Sequence, residues 1–78
     1  MEPFELTFAE NIKINIVPAH LFGKDLVYYL FISGKAHGSL IPYIDDNAQL
    51  GWRTEDNIDP ILVETIGRMI DEYEQFDS

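Results

Sequence analysis

Phe4-Glu5-Leu6-Thr7-Phe8 and Ile12-Lys13-Ile14-Asn15-Ile16 each alternate apolar with polar side chains, and Ala9-Glu10-Asn11 separates them. Period-two alternation marks a strand with one buried and one wet face, so these runs predict a hairpin over residues 4–8 and 11–18. Asn11, whose short amide tolerates positive φ, is the expected left-handed residue of the turn. Pro18 has no N–H to give to a ladder and is expected to end the pairing of the second strand. Residues 19–24 then read as a connection in which Leu21 and Phe22 tuck against the core.

The pattern changes at Asp25. Leu26-Val27-Tyr28-Tyr29-Leu30-Phe31-Ile32 is apolar at both parities, rich in aromatic and β-branched residues, and too short for an independent helix, which predicts a central strand over 25–33. A partner strand follows over 37–44, with Pro42 implying a bulge or an outward-facing nitrogen. Asp45-Asp46-Asn47-Ala48 is a turn by composition, and a short strand over 49–53 carries Leu50 and Trp52 on one side.

Period 3.6 takes over after Asp59-Pro60. Asp59 is placed to cap a helix, accepting one of its orphan N–H groups, and Pro60 has no N–H to leave unpaired at the first helical position. Over 59–76, Leu62, Ile66, Met69, Tyr73 and Phe76 form a stripe widened by Ile70, with Glu64, Arg68, Asp71 and Gln75 opposite. Gly67 lies off that stripe, either as a close approach by a neighbour or as a tolerated defect. The chain therefore reads as a single domain over residues 1–78 of α+β class. A curved antiparallel β-meander of four or five strands carries one C-terminal amphipathic helix packed on one face.

One helix shelters one sheet face. The first hairpin assigns to it Phe4, Leu6, Phe8, Ile12, Ile14 and Ile16, with Glu5, Thr7, Lys13 and Asn15 outward. The third strand breaks this division, because either parity leaves apolar residues without cover. The outward set is taken as Val27, Tyr29, Phe31, Ile41 and Tyr43. Sheet curl, the connection before Asp25 or another protein chain could cover it.

With 78 residues the core is small, and a domain near this size buries only about 60% of its unfolded surface, so self-association would relieve a thin stability margin. Cysteine is absent, which removes disulfides, thiolate metal sites and a thiol nucleophile. The start Met1-Glu2-Pro3 has neither a basic stretch nor an apolar one, and the longest apolar run is far short of a membrane span. A cytoplasmic location is therefore expected. The net charge of −9 is uneven: residues 45–78 hold ten acids and two arginines, net −8, against −1 for the first 44. Such a balance opposes nucleic-acid backbones and anionic membranes and permits a basic protein partner.

Chemistry-bearing patterns are sparse. His20 and His37 lack the spacing of a metal pair. Asp45, Asn47 and Gln49 have the alternate oxygens of a calcium loop, but the sixth position is Leu50 rather than glycine and the twelfth is Asp56 rather than glutamate, so a hairpin turn explains them better. No phosphate loop, nucleophile elbow or zinc-protease motif occurs. No cofactor, metal or enzymatic activity is expected.

Leu40-Ile41, Gly51-Trp52 and Asp59-Pro60 followed by Val63, Ile66-Gly67 and Ile70 give the chain its resemblance to small single-domain bacterial proteins of unknown function, built from a β-meander and a C-terminal helix. The resemblance covers most of the chain and implies the fold; it carries no activity. Ala48 and Gln49 depart from it, standing where such turns often have a glycine.

The expectation from sequence is a non-enzymatic protein-interaction domain that forms a homodimer through Val27, Tyr29, Phe31, Ile41 and Tyr43. Two alternatives stay open: an acidic inhibitor or adaptor that binds a basic protein through Glu64, Asp71, Glu72 and Glu74, and a small-ligand binder in the gap between helix and sheet.

Overall fold

A computed structural model of the chain describes residues 2–21 and 25–74. Five antiparallel strands, β1 (Phe4–Ala9), β2 (Ile12–Leu21), β3 (Asp25–Ile32), β4 (Lys35–Ile44) and β5 (Leu50–Arg53), lie side by side in chain order, and helix α1 (Pro60–Glu74) follows. This is the α+β meander expected from the alternation pattern. The described part of the connection does not include Phe22, and the side chain of Leu21 and the Phe76 end of the helical stripe also lie outside the described residues. No helix among the described residues is long and apolar enough to cross a membrane.

Register explains where each strand bends. Between β1 and β2 the pairing steps from Thr7 with Lys13 to Ala9 with Ile12, leaving Phe8 as a bulge. Between β3 and β4 it steps from Leu30 with Gly38 to Phe31 with Ala36, leaving His37 unpaired. The bulge falls at His37, not at Pro42, and β4 starts two residues earlier than the pattern suggested. Ser33 and Gly34 both have positive φ, 53° and 78°, as a two-residue turn matched to strand twist requires. Asn11 is not among the described residues with positive φ, whereas Ala48, at 60°, takes the left-handed place expected of a glycine.

Pro18 does not end β2, which continues to Leu21 with Pro18 opposite Tyr28. The reason is positional. β1 reaches only as far as Phe4 opposite Ile16, so beyond that point β2 has no strand neighbour on that side among the described residues and a missing N–H there breaks no ladder. Pro42 obeys the same rule: β3 and β4 pair as far as Tyr28 with Leu40, after which β4 pairs only with β5, Pro42 opposite Trp52.

The core lies between the helix and one sheet face. Ile14, Ile16, Tyr28, Leu30 and Leu40 are at most 1% exposed and pack with Phe4, Val63, Ile66 and Ile70. Leu6, Phe8, Leu26, Ile32, Trp52 and Ile58 close its margins, whereas Ile12, beside the turn, is 44% exposed. An aromatic series runs through it. Phe4 stacks on Tyr73 at 4.0 Å, Tyr28 meets Phe4 edge-on at 6.5 Å, and Trp52 meets Tyr28 edge-on at 5.6 Å. β1, β3, β5 and α1 are thereby tied together.

Asp59 caps α1 as expected, its Oδ1 accepting the Ile61 N–H at 2.8 Å and its carbonyl the Val63 N–H at 3.0 Å. The buried side of the helix is Val63, Ile66, Gly67 and Ile70, rotated from the expected stripe; Leu62 and Tyr73 lie at its margin. Gly67 sets that rotation. A Cβ there would lie 2.3 Å from Trp52 Cγ, so the indole rests directly on the helix backbone and draws α1 onto β5.

The segment joining β5 to α1 is fastened across β4. Asp56 Oδ2 accepts from the Ser39 backbone N–H at 2.9 Å and from the Ser39 hydroxyl at 3.3 Å, while the Thr54 hydroxyl donates to the Ser39 carbonyl at 2.8 Å. Gly38, at φ 112°, leaves room for this crossing, since a Cβ there would meet Asp56 at 2.9 Å.

Candidate functional site

The residues expected to form an interaction surface sit on the sheet face away from the helix-side core. Cross-strand pairing sets their neighbours: Tyr29 lies between Val17 and Ser39, and Phe31 between Asn15 and Ala36. Ile41 faces Arg53, and Tyr43 faces Gly51. Their exposure is graded. Val27 is only 2% exposed yet stands outside the helix-side cluster; Tyr29, Phe31 and Ile41 are half-buried, and Tyr43 is 44% exposed.

Tyr43 owes its position to a glycine. A Cβ on Gly51 would come within 2.5 Å of Tyr43 Cζ, so the ring lies flat across the β5 backbone and fills the space a side chain would take. The polar margin of this face includes Glu5 and Lys13, 3.8 Å apart and both well exposed, a pair worth at most ~1 kcal/mol.

The four helix acids do not share one face. Glu64 is exposed and lies 3.8 Å from Arg68, Glu72 is exposed, and Asp71 and Glu74 are half-buried rather than directed to water. Glu74 reaches the core, where its Oε2 accepts the Tyr28 hydroxyl at 3.2 Å. Burial first, then the negative charge of Glu74 and the hydrogen bond to it, hold the Tyr28 phenol well above its ordinary value of 10.0. The last turn of α1 has no basic residue to offset its acids against the negative end of the dipole.

Between helix and sheet the space is filled by the core, and a cleft of about 640 Å³ lies beside it, bounded by β5 and α1. Leu50, Trp52, Ile58 and Val63 supply its apolar wall, and Arg53, Glu64, Arg68 and Asp71 its charged one. Asp71 Oδ1 is buried with no hydrogen-bond partner among the described residues. The sequence expectation named a gap between helix and sheet without naming the residues that line this cleft, which no periodicity reports.

His20 lies in β2 and His37 at the β4 bulge, both exposed, and no group of three His, Cys, Asp or Glu side chains gathers as metal ligands would among the described residues. Asp45 Oδ1 accepts the N–H groups of Asn47 at 2.8 Å and Gln49 at 2.9 Å, so the calcium-like residues build the β4–β5 turn. Comparison with known proteins finds no matching family model, no matching curated protein and no matching solved structure.

Proposed function

We propose that the chain is a non-enzymatic protein-interaction domain of the cytoplasm that pairs with a second copy of itself through Tyr29, Phe31, Ile41 and Tyr43, on the sheet face to which the sealed Val27 also belongs. The observation that carries this reading is the incomplete burial of aromatic and β-branched residues on the sheet face away from the helix. Aromatic side chains bury large area at low entropic cost, and a small core gains most from added burial. A standard interface takes about 800 Å² per partner, roughly a seventh of the 5639 Å² surface of this chain. Charge distribution favours the same arrangement. The acids of α1 lie beyond the opposite face of the sheet, so pairing by outer faces keeps the two acidic helices apart in a chain of net charge −9. A cysteine-free sequence suits a reducing compartment.

Sedimentation velocity across a wide concentration range tests the proposal. Wild-type protein is expected to shift from monomer to dimer, and Tyr29→Glu to remain monomeric with an unchanged circular dichroism spectrum. A wild-type chain that stays monomeric at the highest concentration overturns it.

A further inference from the structure

The chain has two arginines, Arg53 and Arg68, and both line the cleft between β5 and α1, whereas no described lysine does. Two guanidinium groups thus meet in one recess of a chain whose net charge is −9. β5 carries the first at an exposed position opposite Ile41, and α1 carries the second one turn after Glu64. Neither guanidinium donates a hydrogen bond to a described residue. Arg53 has no ion pair either, and the 3.8 Å between Arg68 Nη2 and Glu64 Oε1 is beyond hydrogen-bond distance.

The acids of the lining do not cancel this supply of donors. Glu64 is engaged with Arg68, and the Oδ1 of Asp71 is sealed, so an entering molecule does not meet it. What it meets is a pair of unspent guanidinium forks beside an apolar wall of Leu50, Trp52, Ile58 and Val63. A fork of this kind matches the two oxygens of a carboxylate and gives a bidentate contact that a lone hydroxyl or carbonyl cannot. The cleft, at about 640 Å³, is within the range of roughly 300–1,000 Å³ typical of small-molecule sites. Repulsion from acids elsewhere on the chain is screened beyond about 8 Å at physiological salt, so the groups in contact decide the sign.

We propose that the cleft between β5 and α1 binds a small organic acid, its carboxylate on Arg53 with Arg68 as a second donor, and its apolar or aromatic body along Leu50, Trp52 and Ile58. This site does not depend on the pairing of outer sheet faces.

The test titrates a series of monocarboxylates, from 3-phenylpropionate to decanoate, into the isotope-labelled full chain. The tightest binder is then compared with its primary amide and with the primary amine of the same body. Saturable amide shifts are expected on Leu50–Thr54 and along the 60–71 part of α1, together with the Trp52 indole N–H. The acid should bind about tenfold more tightly than the amide, the margin of charge-assisted over neutral hydrogen bonds, and the amine more weakly still. Arg53→Gln, at an exposed position, should erase that margin so that acid and amide bind alike. Arg53→Lys should keep part of it, because the charge remains without the fork. Loss of discrimination with the body still bound separates a lost carboxylate contact from a damaged cleft. Absence of saturable shifts across the series, equal affinity of acid and amide for wild type, preference for the amine, or shifts centred on Tyr29 and Phe31 overturns the proposal. Tyr29→Glu should bind the acid as wild type does, so failure of self-association and failure of acid binding are read separately.

Discussion

On the helix side of the sheet, Ile14, Ile16, Tyr28, Leu30 and Leu40 are at most 1% exposed, whereas on the other side Tyr29, Phe31 and Ile41 are half-buried and Tyr43 is 44% exposed. Both sets come largely from the same two strands, β3 and β4. The difference therefore lies in what stands over each face, not in the hydrophobicity of the strands. A helix closes the first through Val63, Ile66 and Ile70, and the second is the face proposed to pair with another copy.

Adjacent residues of β4 give the sharpest contrast in stability. Leu40→Ala should cost about 3 kcal/mol, the transfer and cavity terms of a sealed site, while Ile41→Ala should cost the isolated monomer about 1 kcal/mol. Urea denaturation at low protein concentration measures both; equal losses would erase the distinction between the faces.

Gly67→Ala probes how the inner face is closed. Helix propensity alone would reward the change by about 1 kcal/mol. Because the new methyl would sit 2.3 Å from Trp52 Cγ, the helix must lift from β5, and a net loss of about 2 kcal/mol is expected in the same assay.

Tyr28→Phe removes the hydrogen bond to Glu74 and should cost about 1 kcal/mol at neutral pH. The phenol of the folded chain keeps its proton above the pH at which the unfolded one releases it, so this contribution is full below pH 10.0 and declines as pH rises beyond it. Denaturation midpoints followed into alkali should fall for wild type and fall less steeply for Tyr28→Phe.

The smallest effect lies outside both faces, at the β4–β5 turn. Ala48 holds φ 60°, a conformation that costs an L-residue and not glycine, so Ala48→Gly should raise stability by about 0.5–1 kcal/mol in thermal unfolding.

Much of the fold was legible because it depends on local pattern: alternation in β1 and β2, the apolar run of β3, and the Asp59-Pro60 cap each report one element. Elements that depend on neighbours were not. Whether Pro18 stops a strand is decided by where β1 ends, and whether Gly67 is a defect or a seat is decided by Trp52, fifteen residues earlier in the chain. The same limit applies to the candidate surfaces. Parity in β3 separated Tyr28 and Leu30 from Tyr29 and Phe31, yet the sealing of Val27 and the reach of Glu74 into the core needed three dimensions.

The pairing of outer faces is tested most directly by filtered nuclear Overhauser spectroscopy on an equal mixture of isotope-labelled and unlabelled protein. Cross-peaks between copies should connect the rings of Tyr29, Phe31 and Tyr43 and vanish in Tyr29→Glu. A concentrated sample with no intermolecular contacts at these rings, or with contacts confined to α1, contradicts the account.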